Sequence, residues 1–186
     1  MLALGTPVPL FQLPDATGTM HGPADVTAAG GLLVAFVCNH CPYVVHIGPK
    51  LGDRARQWVA QGLAVLAINA NDIDAYPQDG PEHMPSFAEH NGWDFPYLLD
   101  ETQHVAQAFR AACTPDLFLF NNDHQLAYRG QFDTSRPGND QPVTGDDLDR
   151  AVRAVLAGQP VPGEQIPSIG CNIKWKPGNQ PEYGSG

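Results

Sequence analysis

Leu32-Leu33-Val34-Ala35-Phe36-Val37-Cys38-Asn39-His40-Cys41-Pro42 is the stretch on which the fold turns. Its first six residues form an unbroken apolar run after Gly30-Gly31. A run of that length without polar alternation reads as a central strand buried on both faces. Pro42 reads as the first residue of a helix, because its fixed φ suits that position and its missing N–H is not needed there. The helix continues through Val45, Leu51, Ala55 and Val59, and Gly62 closes it where a left-handed residue is favoured. Leu63 to Asn69 reads as a second buried strand. Right-handed crossover then makes the two strands parallel neighbours in one sheet.

Outward from this unit the pattern is less regular. Phe11-Gln12-Leu13 reads as a short edge strand and Asp72 to Pro85 as a polar loop. Ser86 to Asn91 is a short helix ended by Gly92, and Tyr97-Leu98-Leu99 a further strand. Glu101 to Ala112 reads as a helix with Val105, Ala108 and Phe109 on one face. Asp116 to Phe120 and Gln125 to Tyr128 are strands of a hairpin, joined by Asn121-Asn122-Asp123-His124. Thr144 to Leu156 is a final helix, with Thr144 as cap, Asp146 and Asp147 in the first turn and Gly158 after it. Residues 1–158 make one domain on this reading. Residues 159–186 are a Pro/Gly-rich tail whose Ile166, Ile169, Cys171, Ile173 and Trp175 are too apolar for a solvated linker, so part of it is expected to pack on the domain.

A chain of 186 residues with 42% hydrophobic content suits one well-cored domain. Twenty acidic residues against 10 basic ones give a net charge of -10. That balance argues against nucleic acid, whose phosphates call for clustered Lys and Arg, and against an anionic membrane surface. The longest apolar run is strand-sized, not membrane-spanning. Met1 to Pro7 lacks the basic start and long apolar run of a secretory signal, so the expected compartment is the cytoplasm. Four cysteines there are expected to be catalytic or metal-binding rather than structural staples.

The thiolate, not the thiol, is the nucleophile. With Pro42 as the first helical residue, Cys41 is the N-cap, and its sulfur is expected to accept N–H bonds from the first turn and to feel the positive end of the helix dipole. A site of this kind lowers a cysteine pKa from about 8.5 to between roughly 3.5 and 7.5. Cys38 stands three residues upstream, close enough in sequence to close a disulfide with Cys41. His40 lies between them, either as an imidazolium that stabilises the thiolate, as a base that moves protons, or as an exposed loop histidine. Asn39 bonds the loop backbone and carries no chemistry. Cys113 is either a resolving partner or a small buried residue, and Cys171 resolves Cys41 only if the tail folds back over the site. Arg129 and Arg136 either steer an anionic substrate group or are surface arginines. Tyr43 and Trp93 are read as packing residues. A second C-x-x-C and a well-spaced His pair are absent, so no metal and no other cofactor is expected.

Three segments carry a resemblance: Ala35 to Pro42, Thr114-Pro115-Asp116-Leu117-Phe118-Leu119, and Tyr128-Arg129-Gly130. Together they resemble the redoxin branch of the thioredoxin superfamily, which includes peroxiredoxins (AhpC/TSA-related) and TlpA-type thioredoxins. The Cys-Asn-His-Cys-Pro centre and the Ser168 to Trp175 tail are similar to peroxiredoxin-like thioredoxin-family proteins. The resemblance implies an α/β thioredoxin-like fold: a central mixed sheet flanked by helices, with an N-terminal extension and a C-terminal tail. It implies that Thr114-Pro115 is a cis bond facing Cys41, and that Thr114, Pro115 and Pro42 meet the substrate. Two departures stand out. Counted from Phe36, Cys41 matches the first cysteine of a thioredoxin C-x-x-C and Val44 the second, so Cys38 lies on the unusual, upstream side. The Thr that precedes a peroxidatic cysteine by three residues is replaced by Cys38.

The leading expectation is a thiol–disulfide oxidoreductase in which Cys41 attacks and Cys38, Cys113 or Cys171 resolves, acting on a disulfide or peroxide and re-reduced by a thioredoxin-type donor. The alternatives are a thiol peroxidase, a copper-delivery module with His124 as distal ligand, and a redox-inert binding module.

Overall fold

The computed structural model describes residues 2–26 and 30–184. Among these the elements run β1 Leu13–Pro14, β2 Met20–His21, β3 Gly31–Phe36, α1 Pro42–Ala60, β4 Leu63–Asn69, α2 Met84–His90, β5 Tyr97–Leu99, α3 His104–Phe109, β6 Cys113–Thr114, β7 Asp116–Asn121, β8 Leu126–Gly130, α4 Asp146–Leu156 and β9 Cys171–Asn172. Five strands form a mixed sheet in the order β5-β4-β3-β7-β8. β3 is its middle strand, buried at every residue. It pairs in parallel with β4 from Gly31↔Leu63 to Phe36↔Ile68, and antiparallel with β7 from Gly31↔Asn121 to Phe36↔Asp116.

Alternation along β3 sorts the core into two layers. Leu33 and Ala35 face a cluster built with Ile47, Leu51 and Trp58 of α1 and Leu148 and Val152 of α4. Leu32, Val34 and Phe36 face the other, with Phe109 of α3 and Phe118 and Phe120 of β7. There Phe36 meets Phe109 and Phe118 edge to face, with ring centroids 5.3 and 5.7 Å apart. Such pairs add specificity to the area they bury. Trp58 Nε1 donates to Asp149 Oδ1 at 2.8 Å and ties α1 to α4.

Several boundaries differ from the sequence reading. The first strand is Leu13–Pro14, paired with Met20–His21, and not residues 11–13. α2 begins at Met84, ahead of Ser86. α3 is shorter than 101–112, because Gln103 and Arg110 both adopt left-handed φ (65° and 52°) and bound it, and Ala108 is exposed. The N-cap of α4 is Gly145, at φ 72°, although Thr144 Oγ1 still accepts from the Asp146 amide at 3.3 Å. A side chain at Gly145 would meet the Phe132 ring at 2.5 Å, so both space and φ favour glycine there.

The segment after α4 lies along the domain. The Gln131 amide donates to the Ile166 carbonyl (2.8 Å), Ser168 Oγ to the Gly130 carbonyl (2.8 Å), and the Lys174 amide to Asn71 Oδ1 (2.9 Å). Between these anchors β9 pairs antiparallel with β6, placing Cys171 opposite Thr114 and Asn172 opposite Cys113. Gly170 crosses so close to β6 that an added Cβ would collide with the Thr114 carbonyl.

Candidate active site

β3 ends at Phe36 and α1 begins at Pro42, so Cys38 to Cys41 lie in the loop at the carboxyl end of the central strand. One buried carboxylate organises that loop. Asp79 Oδ1 accepts from the amides of Asn39 (2.8 Å) and His40 (3.3 Å), and Oδ2 from Asn71 Nδ2 (2.9 Å). His40 Nδ1 lies 2.7 Å from Oδ2. A carboxylate can only accept, so Nδ1 carries the proton. His40 also stacks on Tyr76, with ring centroids 5.4 Å apart and planes 7° apart. It is therefore a fixed group and not a free loop histidine. Asn39 donates through Nδ2 to the Gln78 carbonyl (2.9 Å) and accepts from the Tyr97 hydroxyl (3.0 Å), which pins the loop a second time. Asp79 ends a short 3-10 turn, Pro77–Asp79, inside a segment that reads as polar loop. Sequence reasoning missed it, because no local pattern says that one loop aspartate turns inward.

Cys41 is the N-cap of α1 with Pro42 as the first helical residue, but its thiol closes no capping hydrogen bond, and the first-turn amide of Val44 has only the smallest effect on its thiolate. The expectation of an amide-capped sulfur is corrected here: the sulfur points across to β6 instead. It lies 3.0 Å from the Thr114 carbonyl, to which the thiol form donates. The thiolate form is held well below the usual thiol range. The S–H of Cys38 is the main cause, opposed by burial and helped by the Thr114 side chain and Cys171, with the Val44 amide last. Cys38 moves the opposite way. Its S–H donates a hydrogen bond to the Cys41 sulfur, it is buried, and it faces the charge of Asp79, and all three hold it in the thiol form. Its Sγ is 3.5 Å from Thr114 Oγ1. The two cysteines thus share one proton between unequal sites.

The structure brings Cys38 and Cys171 to Cys41. Cys113 has no such contact: its Sγ turns to the Pro115 carbonyl (3.5 Å). Successive side chains on a strand point to opposite faces, so Cys113 and Thr114 diverge. Burial and the nearby Asp116 push the Cys113 thiol upward. Burial, then the hydrogen bond to Cys41, also raises Cys171. All four cysteines are free thiols. The Thr114–Pro115 bond is cis, and Pro115 lines a cleft with Tyr43 beside the cysteine loop. Pro42 is exposed at the start of α1.

The other candidates fall elsewhere. Arg129 is not a surface steering group: it is buried, pairs with Asp116 at 2.8 Å and lies 4.5 Å over the Phe118 ring. Trp93 is buried behind α1, donating to the Gly48 carbonyl at 2.9 Å. His124 sits in the hairpin turn beyond Asn121, while Asp116 at the other end of β7 adjoins the site. Six strand residues separate those ends by roughly 20 Å, so His124 does not complete a metal site with the cysteines. Among the described residues one group could hold a cation: ligand atoms of Cys38, His40 and Asp79 lie within 4.8 Å of one another. Asp79 already accepts four hydrogen bonds, and a metal would have to displace the bond from His40 or from Asn71.

A mixed five-stranded sheet, a cysteine pair before a proline-started helix and a cis proline facing that pair define an oxidoreductase of the thioredoxin-like class. The chain belongs to the AhpC/TSA family, whose sequence profile matches residues 4–129. It is 26% identical over 125 residues to the thiol-disulfide oxidoreductase ResA of Geobacillus kaustophilus, covering 67% of each chain. A solved hypothetical protein of Sinorhizobium meliloti 1021 is 49% identical, covers 96% of this chain and 97% of its own, and superposes with a TM-score of 0.94. An uncharacterized conserved protein from Geobacillus kaustophilus is 47% identical, with 95% and 94% covered and a TM-score of 0.92. A peroxidoxin, BcpB of Mycobacterium tuberculosis, shares the fold at 20% identity, with 85% and 98% covered and a TM-score of 0.63.

Proposed function

We propose that this oxidoreductase exchanges thiols and disulfides, with Cys41 as the attacking thiolate and Cys38 as the resolving thiol. The observation that carries this reading is the opposite displacement of the two thiols, one toward the thiolate and its neighbour toward the thiol. Cys41 attacks one sulfur of the substrate disulfide. A mixed disulfide forms, and the first substrate thiolate leaves and takes up a proton. Cys38 then loses its proton and attacks Cys41 Sγ, releasing the second substrate thiol. Two electrons pass to the substrate, and the enzyme is left with a Cys38–Cys41 disulfide for a thioredoxin-type dithiol to reduce. His40 lies beside Cys38, and because its Nδ1 proton is held on Asp79, Nε2 is the ring atom left to take up a proton. The similarity to ResA, named a thiol-disulfide oxidoreductase, supports the same reading. In a single-turnover assay with reduced protein, Cys41→Ser is expected to release no substrate thiol. The double variant Cys38→Ser/Cys171→Ser is expected to stop at a mixed disulfide visible by mass. Unchanged turnover of Cys41→Ser would remove the assignment.

A second reading, thiol peroxidase, draws on the fully buried Cys41 sulfur beneath β6 and β9, a position that suits an oxidant as small as a peroxide. Cys41 would be oxidised to a sulfenic acid and Cys38 would condense with it, releasing water. Stopped-flow peroxide consumption tests it, and a rate no faster than that of free cysteine counts against it.

A further inference from the structure

Twenty acidic residues surround 10 basic ones, so every cation in this chain has carboxylates to choose from. Five of the seven arginines take one: Arg54, Arg56, Arg129, Arg150 and Arg153 all form ion pairs. Arg110 lies over the Tyr183 ring. Arg136 differs from all of these. Among the described residues it has no carboxylate partner. Its Nη1 donates to the carbonyls of Asp133 (2.7 Å) and Ser135 (2.6 Å), and its Nη2 to Gln131 Oε1. Neutral oxygens fix the side chain without cancelling its charge, and Nε takes part in none of these bonds.

The loop that presents Arg136 is rigidly built. Asp133 accepts from the Ser135 amide (2.8 Å) and hydroxyl (2.5 Å) through Oδ1, and from the Thr144 and Gly145 amides (2.7 Å each) through Oδ2. Burial opposes its ionisation, but those four bonds hold its carboxyl below the usual range. Both of its oxygens are turned inward and saturated. Ser135 Oγ, its hydrogen given to Asp133, accepts from His46 Nε2 on α1 at 3.1 Å. That bond fastens the loop to the helix that Cys41 starts.

Arg136 opens into a narrow cleft whose other walls include Tyr43, His46, Pro115, Ser135 and Ile169. The cleft therefore joins the cis proline, whose preceding carbonyl touches Cys41 Sγ, to an unpaired guanidinium. His46 is five residues along the helix from Cys41, an axial rise of about 7.5 Å.

We propose that this cleft is an anion subsite of the active site, and that the chain prefers low-molecular-weight disulfides carrying a carboxylate a few bonds from sulfur. Arg136 pairs with the carboxylate, while Tyr43, Pro115 and Ile169 cover the linker and leave the disulfide at Cys41. The inference rests on the thiol–disulfide reading. The redox step is unchanged: the reduced Cys38/Cys41 pair gives two electrons to one disulfide, which leaves as two thiols, and the pair becomes a disulfide.

The test uses the full reduced chain in single turnover with three disulfides of similar size: 3,3′-dithiodipropionate, bis(2-hydroxyethyl) disulfide and cystamine. Each rate is divided by that of dithiothreitol with the same compound at the same salt, which removes intrinsic reactivity. The corrected rate is expected to be highest for the dianion and lowest for the dication. The ratio of dianion to neutral rate is expected to fall about tenfold in Arg136→Gln, the scale of a lost charge-assisted hydrogen bond, and to stay within about threefold in Arg136→Lys. Using the ratio separates lost recognition from a loop that merely loosens, which would slow both compounds alike. Reduction of the neutral disulfide with no preference for the dianion, or an unchanged ratio in Arg136→Gln, overturns the subsite. Failure to reduce any of the three overturns the thiol–disulfide reading and the subsite with it.

Discussion

Cys171 stands directly opposite Thr114 in the β6–β9 pair, and through that register it reaches the sulfur of Cys41. Cys41 consequently has two thiol neighbours, one from its own loop and one from the tail.

That arrangement makes a pairing prediction. Mild oxidation of the wild-type chain is expected to give Cys38–Cys41 as the main disulfide. In Cys38→Ser the bond is expected to move to Cys41–Cys171, and Cys113 should stay alkylatable in both. Peptide mapping under non-reducing conditions reads the pairs. A Cys41–Cys113 bond in either protein would contradict the geometry.

Gly170 is where the tail passes closest to the site. Gly170→Ala puts a methyl group into the Thr114 carbonyl, so β9 must lift. Overpacking of this kind costs about 1–3 kcal/mol. The urea midpoint is expected to drop accordingly, and amides 171–174 should lose protection from hydrogen exchange. Unchanged protection would mean that the pairing does not hold in solution.

Asp79 is expected to be a positioning residue. Asp79→Asn removes a charge that helps to hold Cys38 protonated and weakens the bond to His40. Alkylation of Cys38, mapped by mass against pH, should shift to lower pH, and disulfide reduction should slow more than stability alone accounts for. Asp79→Ala should cost about 3 kcal/mol, because the donors of Asn39, His40 and Asn71 lose a charged acceptor. An unmoved Cys38 profile would limit Asp79 to a structural role.

The reduced protein should show a stability maximum in pH set by the two thiols. Cys41 is depressed in the folded state, so its contribution is full above the unfolded thiol pKa near 8.5 and declines as pH falls toward its folded value. Cys38 is raised, so its contribution is full below about 8.5 and is lost as pH climbs above it. Cys41→Ser removes the rising side and Cys38→Ser the falling one, and because each thiol is the main cause of the other's displacement, the remaining flank is expected to shrink as well; the limiting slope in wild type is about 1.4 kcal/mol per pH unit. Urea titrations from pH 5 to 10 under anaerobic conditions check this.

Much of this site could be read from residues in order along the chain. The apolar run into Cys38, the proline after Cys41 and the strand after Gly62 are local patterns, and they suffice for a strand, a proline-started helix and a parallel strand beside the first. Thr114-Pro115 was legible only through resemblance, since X–Pro bonds in folded chains are mostly trans. Asp79 was not legible in its present role, because it turns inward from a loop that reads as polar. Cys171 and Arg136 were legible only as one of two alternatives each, because the path of the tail and the lack of a carboxylate beside Arg136 are tertiary facts.

The sequence by itself determined the central strand–helix–strand unit, because strand and helix periodicity and a proline at the first helical turn are properties of neighbours along the chain. It also determined which thiol starts the helix. Tertiary structure alone decided what that thiol meets. The sulfur lies against Thr114 and meets both Cys38 and a cysteine 130 residues downstream, and burial there gives each nearby donor and charge a weight that it lacks in water.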